Sequence, residues 1–357
     1  MMSDPAKAPD RARERRLEVI RDQAEEQGRL QIVDPRPAGA AFPQASPENG
    51  YYQIPLLKQP PWTWEIPLYF FVGGAAASAA VVGAIADYTG ADRKLVRDAR
   101  CIAAVGSVIS PALLISDLGR PERFLSMLRV FKPQSPMSVG VWTLVGFSTA
   151  SIAAAFAGFL RHHYGALLPL RVLENAGQAA SLAFGLPFSN YTGVLIGATA
   201  VPVWNRNVGN LPLHFGASGL GAAVGLLELL GHRKSRALQA LGLGTAIFET
   251  FEGIGIEARD HSYLNPLKRG TSGWIRRTGG ALAGPVPTLL RIASLFTKRR
   301  SDSLRKWAAL SSVIGSLVTR IGWISAGRAS AQDWKLPLES EQAWRSKRST
   351  GRKILRS

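Results

Sequence analysis

Asp117 is the residue whose position in this sequence points most directly to chemistry. It closes an apolar run, and the turn Gly119-Arg120-Pro121 that follows ends the helix which this run predicts. A carboxylate at the end of an apolar, membrane-length helix is costly unless it meets water, a cation or a protonatable ligand. The position therefore marks Asp117 as a candidate for binding or protonating a ligand. The alternative is an ordinary helix end with a solvated aspartate.

The residues after Asp117 form the second part of this corner. Arg120 lies three positions further on and could pair with Asp117, although a role in the turn itself is the simpler interpretation. Residues 122–131 then alternate apolar side chains with Arg123 and Arg129, as expected of a short helix lying in the membrane interface. After a Pro-x-x-Pro turn at residues 133–136 the chain re-enters an apolar segment.

Further groups that could hold or donate a proton lie in other apolar segments. Glu65 opens the first of them and Tyr69 follows four positions later, on the same helical face. Tyr191 lies toward the middle of a later apolar run. Structural alternatives exist for each: Glu65 could complement the helix dipole, Tyr69 could join Trp64 in an aromatic belt, and a buried tyrosine hydroxyl often serves only a structural hydrogen bond.

Glu249 and Glu252 are two carboxylates within one predicted membrane helix. They lie three residues apart and therefore on one helical face. An intramembrane row of this kind can relay protons. It could equally line a pocket for electron transfer, or pair with Arg320 or Arg276.

Three long stretches of the chain carry no charged residue. They are residues 66–86, 133–160 and 175–205, with 21, 28 and 31 residues. Each is long enough to cross a hydrocarbon core of about 30 Å. Charged residues are concentrated in the tails and in the loops between apolar segments. The pattern predicts an all-α polytopic membrane protein.

Hydropathy predicts eight membrane spans, the last two being weaker because each contains an arginine, Arg291 or Arg320. The predicted spans cover about residues 65–87, 99–118, 138–160, 171–204, 211–230, 237–256, 278–297 and 307–327. Gly185 and Pro187 should kink the fourth span. Eight spans place both tails on one side of the membrane, and alternation puts the Asp117 corner on that same side.

The predicted domain organisation is a membrane domain between two tails. Residues 1–60 are a polar extramembrane tail with a charged helix around residues 11–27, and no apolar region near the start indicates a cleaved secretory signal. Residues 61–328 form the membrane domain, and residues 329–357 form a basic extramembrane tail. The basic loops favour only weakly the arrangement with both tails outside, in the periplasm.

Charge and cysteine content exclude several functions. The 43 basic and 25 acidic residues give a net charge of +18, which can indicate nucleic-acid binding. Here the basic residues lie in short loops, where contacts with lipid headgroups account for them, so the bilayer and no nucleic acid is the expected partner. The single cysteine, Cys101, permits no cysteine-ligated iron–sulfur cluster, and the five histidines lie mostly at segment ends. Neither haem nor another metal is expected in this protein.

The residues around Asp117 resemble the NrfD/PsrC family, the membrane subunits of polysulfide, nitrite, thiosulfate and related reductase complexes. The first motif is SPALLISDLGRPERF at residues 110–124, followed by KPQSPMSVGVW at residues 132–142. The second is WTWEIPLYFF at residues 62–71, and the third joins YTGVL at 191–195 to VPVWN at 201–205. The resemblance covers about residues 51–230, and the later part of the chain matches only in hydropathy.

The resemblance implies a fold and a role. The fold has eight transmembrane helices in two four-helix bundles, in the inner membrane of a prokaryotic cell. The role is that of a non-autonomous subunit that exchanges electrons and protons with menaquinone or ubiquinone, by quinol oxidation or quinone reduction. The implied partners are a ferredoxin-like subunit with [4Fe–4S] clusters and, commonly, a molybdopterin catalytic subunit.

The resemblance also implies where the quinone binds. Such a site needs an apolar slot, hydrogen-bonding groups for two carbonyl oxygens and a proton route to water. The family's pocket lies between the first four helices, and the matching motifs assign the leading roles to Asp117 and Tyr191. The other residues of the predicted quinone site are Trp64, Glu65, Tyr69 and Arg120. The carboxylate and the tyrosine of the first span stand where family members vary.

Three other functions stay open at this point. The protein could be a proton-translocating subunit that uses Glu249 and Glu252, an ion or solute transporter, or a membrane anchor without a quinone site. Transporters typically contain paired broken helices in two halves of the chain. The sequence predicts only one clear break, at Gly185 and Pro187.

Overall fold

The computed structural model describes residues 11–26, 55–165 and 167–338, and within these ranges it contains helices and no β-strand. The protein divides into two compact units. Helix α1 (Arg11–Glu26) belongs to the first unit, Met1–Ala45, and confirms the predicted charged helix. The predicted tail after residue 338 lies outside the described residues.

All other helices belong to the second unit, Ser46–Ser357. In sequence order they are α2 (Glu65–Tyr88), α3 (Arg93–Asp117), α4 (Glu122–Leu128), α5 (Pro136–Tyr164), α6 (Leu168–Gly197), α7 (Pro202–Asn205), α8 (Leu211–Leu227), α9 (Arg236–Ala258), α10 (Asn265–Lys268), α11 (Gly270–Ala283), α12 (Pro285–Phe296) and α13 (Ser301–Gln332). The short helix α4 lies where the sequence predicts an interfacial helix.

Seven helical segments of the described residues are long and apolar enough to span a membrane. They are Glu65–Tyr88, Arg93–Asp117, Pro136–Tyr164, Leu168–Gly197, Leu211–His232, Gly270–Phe296 and Ser301–Gln332. The protein is therefore an all-α polytopic membrane protein, as predicted. Helix α9 is not among the seven although it has 23 residues, and it carries Glu249, Glu252 and Glu257.

The starts of several helices follow capping signals in the sequence. Asp92 accepts a hydrogen bond from the Lys94 N–H (3.1 Å) at the start of α3. Ser135 and Ser235 do the same for the amides three residues further on, at the starts of α5 and α9. Each side chain satisfies an amide that the helix itself leaves free.

Helix α6 differs from its prediction at both the kink and the end. It runs without interruption through Gly185 and Pro187. It ends at Gly197 and not near Trp204, which lies in α7. Proline at position 202 explains the early end, because the residue before a proline is pushed out of the helical region.

The interrupted span is the seventh, which breaks between α11 and α12. Gly284 stands at the break with φ −106° and ψ −91°, outside the helical region, and Pro285 begins α12. A Cβ at Gly284 would lie 2.8 Å from the Thr250 amide nitrogen of α9. The break therefore lets α9 approach this backbone closely.

The long helices pack in two closed circuits. In the first, α2 contacts α3, α3 contacts α5, α5 contacts α6, and α6 returns to α2. In the second, α8 contacts α9, α9 contacts α11 and α12, these contact α13, and α13 returns to α8. Helix α2 borders both circuits through α8, where a Cβ at Gly219 would lie 2.9 Å from the Gly74 carbonyl oxygen. Small residues therefore permit the close approach.

Short turns make successive long helices antiparallel, so the helical unit has two ends. The start of α2 and the end of α3 meet at what we refer to as the Asp117 end. The turns at residues 89–92, 165–167, 233–235 and 297–300 lie at the other end, the Arg233 end.

Buried ion pairs join helices near the Arg233 end. Glu228, directly after α8, is fully buried and accepts two hydrogen bonds of 2.7 Å from Arg291 of α12. Glu174 of α6 pairs with both Arg100 of α3 and Arg161 of α5. Such bidentate and bridged carboxylates fix the helices that carry them.

Replacing Glu228 by leucine should destabilise the protein strongly, because Arg291 would then be buried without its carboxylate. Breaking a buried pair in this way typically costs about 3–5 kcal/mol, whereas replacing both partners by apolar residues is often neutral. Thermal unfolding in detergent should therefore show a large loss for Glu228→Leu and recovery in Glu228→Leu/Arg291→Met. Asp302→Asn, which breaks the exposed pair with Arg233, is the control and should cost less than about 1 kcal/mol. A Glu228→Leu variant as stable as the parent would contradict a stabilising role for the pair.

Candidate functional site

The Asp117 corner is held by the residues immediately before α2. Asp117 Oδ1 accepts hydrogen bonds from the backbone N–H of Thr63 (3.1 Å) and from its Oγ1 (3.0 Å). The same hydroxyl contacts Oε2 of Glu65. A threonine hydroxyl donates only one proton, so both contacts are satisfied together when one of the two carboxyl groups is itself protonated. The corner thus provides a place for one exchangeable proton.

Arg120 does not complete this corner. Its side chain is exposed, and no ion pair joins it to Asp117 in the part of the protein that the structure describes. Gly119 turns the backbone away from α3 with φ 67°, a conformation that glycine favours. The predicted pairing of Asp117 with Arg120 is therefore not formed, and the turn interpretation describes the residue better.

Tyr69 and Tyr191 lie in the core of the first circuit. Both are buried, and they are close enough to interact electrostatically. They belong to one apolar cluster with Leu113 of α3 and Val139 of α5. The Tyr191 ring lies against Gly140 of α5, where a Cβ would fall 2.0 Å from the ring atom Cε1. The two tyrosines thus lie between α2, α3, α5 and α6.

Two hydroxyls in this circuit have no hydrogen-bond partner among the described residues. They are Tyr191 OH and Ser110 Oγ, and both are buried. Leaving a buried polar group unsatisfied costs about 1–3 kcal/mol, so such a group marks a place for a water or a ligand. A quinone fits this donor set, because its carbonyl oxygens accept hydrogen bonds and its ring matches the apolar surroundings.

The tryptophans near α2 have different surroundings. Trp64 is 67% exposed, which supports the aromatic-belt interpretation of this residue. Trp62 stacks on Trp204 with ring centroids 5.4 Å apart. Trp204 is fully buried and donates its indole N–H to the Trp323 carbonyl oxygen (2.9 Å). The third motif of the sequence therefore anchors α7 to α13.

A second buried polar cluster lies in the second circuit. His214 Nδ1 contacts Glu252 Oε2 and lies 3.5 Å from Glu249 Oε2. His214 and Glu249 are each 4% exposed, and Oε1 of Glu249 has no hydrogen-bond partner among the described residues. Sequence reasoning placed the two glutamates on one face but did not bring His214 to them. The cluster joins the first turn of α8 to the second half of α9.

The hydrogen bond from Trp323 decides what this cluster can bind. Its Nε1–H donates to Nε2 of His214 (2.9 Å), and an indole nitrogen can only donate. Nε2 is therefore the acceptor, and the ring proton sits on Nδ1, toward the two carboxylates. The three ligand atoms lie within 4.8 Å of one another, yet a protonated Nδ1 cannot bind a metal. The arrangement favours a histidine–carboxylate proton pair.

Arg320 lies beside this cluster, almost fully buried in α13. It donates to the carbonyl oxygens of Phe70 (3.0 Å), Phe215 (3.2 Å) and Ser316 (3.0 Å), and to Oγ of Ser218 (3.0 Å). These bonds tie α13 to α2 and to α8.

The second arginine suggested as a partner for the carboxylates of α9 is engaged elsewhere. Arg276 and Arg277 of α11 both contact Glu257 at the end of α9. Glu249 and Glu252 are therefore left to His214.

A lipid-facing groove of about 420 Å³ lies where the two circuits meet. It runs between α2, α6, α8 and α9, with Leu186, Leu213 and Phe248 among its apolar residues and Ser78 and Asn190 among its polar ones. The groove is a second place where a long apolar molecule could lie. Its lining does not include the residues of the Asp117 corner or the two tyrosines.

Fold and site together define a multi-pass helical membrane protein with a polar corner and two buried polar clusters. The sequence profile described as "Polysulphide reductase, NrfD" matches residues 54–249, more than half of the sequence. The protein belongs to the NrfD polysulphide reductase family, which confirms the resemblance. It is also similar to the C chain of the polysulfide reductase of Wolinella succinogenes, with 27% identity over 304 residues, 75% of this sequence and 94% of that relative.

Proposed function

We propose that this protein is the quinone-interacting membrane subunit of a multi-subunit respiratory oxidoreductase. Membership of the NrfD family and similarity to the C chain of a polysulfide reductase support the role of membrane subunit. The observation that carries the quinone site is the buried, unpartnered hydroxyl of Tyr191, close to Tyr69 and about one helical turn below the Asp117 corner. The ligand is menaquinone or ubiquinone.

The residues of the protein have separate tasks at this site. A bound quinone supplies the exchange of two electrons and two protons. Tyr191 OH donates a hydrogen bond in the apolar interior, and Tyr69 closes the space beside it. Asp117 and Glu65 hold a proton at their Thr63-linked oxygens, and both are only half-buried, so this proton can exchange with water. Trp64 and Arg120 remain predicted members of the site at its exposed edge.

The electron partner must come from outside this protein. A single cysteine cannot ligate an iron–sulfur cluster. We propose that a ferredoxin-like subunit with [4Fe–4S] clusters docks at the Asp117 end and links the quinone to a molybdopterin catalytic subunit. The lettered name of the Wolinella relative, which is one of several chains of its reductase, agrees with such an assembly.

We propose eight membrane spans, with α9 as the sixth. At about 1.5 Å per residue, its 23 residues are long enough to cross a hydrocarbon core of about 30 Å. The two contact circuits support two four-helix bundles. In this arrangement residues 61–328 form the membrane domain in the prokaryotic inner membrane. The tails, residues 1–60 and 329–357, share the side of the Asp117 end, which we place weakly outside.

Asp117→Asn should abolish most quinol-linked turnover while the complex still assembles. The amide keeps the shape of the side chain but cannot take up a proton, and positioned acid–base groups contribute about 10²–10⁴-fold to rate. The measurement is quinol oxidation or quinone reduction by the purified complex. Glu122→Gln, which neutralises an exposed carboxylate on nearby α4, is the matched control and should leave turnover unchanged.

Two outcomes of this experiment would contradict the proposal. Unchanged turnover in Asp117→Asn would favour a membrane anchor. If Asp117→Asn prevents assembly, Tyr191→Phe tests the same site without altering charge, and full turnover in that variant would sink the quinone assignment.

A second candidate function is proton translocation through the second circuit. The observation that favours it is the contact of His214 with Glu252 and Glu249, oriented by Trp323. If this cluster carries protons, Glu252→Gln should lower the proton-to-electron ratio of the complex in proteoliposomes while electron transfer continues. Proton uptake is followed with a pH-sensitive dye.

Glu257→Gln is the control for the proton experiment, since Glu257 lies on the same helix but pairs with Arg276 and Arg277. An unchanged ratio in Glu252→Gln would remove the relay. Ion or solute flux in liposomes that contain this protein alone would instead support a transporter.

A further inference from the structure

A cavity of about 210 Å³ near the Arg233 end is lined by three arginines that neither proposed function uses. Arg236 belongs to α9, Arg291 to α12 and Arg305 to α13, so three helices converge on it. Gln239 and Ser294 add neutral polar groups, and no carboxylate lines the cavity. The volume is sufficient for several waters, at about 30 Å³ each, and so for a tetrahedral oxyanion.

The positive charge around this cavity exceeds the negative charge. Arg291 is buried and paired with Glu228, and its Nε has no hydrogen-bond partner among the described residues. Arg305 makes only long bonds to neutral acceptors, Ser294 Oγ (3.3 Å) and the carbonyl oxygen of Arg233 (3.4 Å). Arg236 is exposed and forms no ion pair within the described ranges. Three guanidinium groups thus face one carboxylate.

Two neighbouring features do not reduce this excess. Asp302, an acidic residue at the start of α13, is engaged by Arg233 at 2.9 Å. Gly242 of α9 lets the Arg291 guanidinium lie against the helix, since a Cβ there would fall 2.5 Å from Cζ. The cavity is therefore formed by specific packing of α9 against α12.

The cavity lies at the depth of lipid headgroups. Arg236 begins α9, Arg305 lies in the first two turns of α13, and Arg291 lies within the last two turns of α12. All three helix ends belong to the Arg233 end of the protein. Leu243, two turns deeper on α9, and the exposed Leu295 provide an apolar border toward the bilayer. A polar mouth with an apolar side suits an amphiphile.

We propose that this cavity binds the phosphate-bearing headgroup of an anionic phospholipid, with its acyl chains along α9 and α12. Basic pockets between transmembrane helices recognise such headgroups by charge and hydrogen bonding. Arg236 and Arg305 contact the phosphate, and Arg291 with Glu228 holds the wall of the site. Free phosphate shares this chemistry but lacks the acyl chains that Leu243 and Leu295 would contact.

The test uses the full-length protein, purified in detergent with the subunits that accompany it. Phosphatidylglycerol, phosphatidylcholine or inorganic phosphate is added after delipidation, and bound molecules are counted by native mass spectrometry. The variant is Arg236→Gln/Arg305→Gln. The matched control is Arg93→Gln/Lys94→Gln, which removes two exposed charges at the same end of the protein, away from the cavity.

Phosphatidylglycerol should bind the parent and the control alike, and phosphatidylcholine should bind weakly. Affinity for phosphatidylglycerol should fall about 30-fold in the cavity variant, since each basic residue near a membrane surface is worth roughly a fivefold gain. Equal retention by both variants would overturn the proposal. Binding of inorganic phosphate with no preference for phosphatidylglycerol would overturn the lipid assignment and leave a free-phosphate site.

An unfolded cavity variant is recognised by its thermal unfolding curve without added lipid. In that case Gly242→Ala displaces Arg291 while keeping every charge, and it should weaken phosphatidylglycerol binding. Unchanged binding in Gly242→Ala would count against the site.

Discussion

The buried guanidinium of Arg320 is the interaction on which the arrangement of the helices depends. A charge inside a membrane protein is tolerated only when its donors are satisfied. Arg320 reaches the carbonyl oxygens of Phe70 and Phe215, and so fixes α2 and α8 at one distance from α13. Gly74 makes room, since a Cβ there would lie 2.9 Å from the guanidinium. Phe70 adjoins Tyr69, so the same bond orients the helix that carries part of the candidate quinone site.

The remaining polar groups are divided between the two ends of the helical unit. At the Asp117 end and one to two turns below it lie groups that can exchange protons, among them Asp117, Tyr191 and His214. At the Arg233 end the buried carboxylates Glu174 and Glu228 are fully engaged by arginines. Paired charges stabilise helix packing there, whereas unpaired donors toward the Asp117 end leave room for chemistry. This division agrees with an electron partner that docks at the Asp117 end.

Much of the fold follows from local sequence, because long uncharged runs and the turn after Asp117 mark helices and their ends. The early end of α6 before Pro202 and the break at Gly284-Pro285 were also readable, since proline and glycine disfavour helix continuation. The meeting of His214, Glu252 and Trp323 was not. These residues lie on three helices far apart in the sequence, and no local pattern fixes which helix faces another. The missing Asp117–Arg120 pair has the same cause, because Thr63 from a distant segment takes its place.

The most direct test of the proposed function is to locate the quinone itself. A photoactivatable menaquinone analogue is cross-linked to the purified complex, and the labelled peptides are identified by mass spectrometry, with excess unlabelled quinone as the competition control. We expect labelling of residues near Ser110–Asp117 in α3 and near Tyr191 in α6, and loss of that labelling in the presence of competitor. Competed labelling confined to Leu213 and Phe248, in the groove between the two circuits, would contradict the placement of the quinone site.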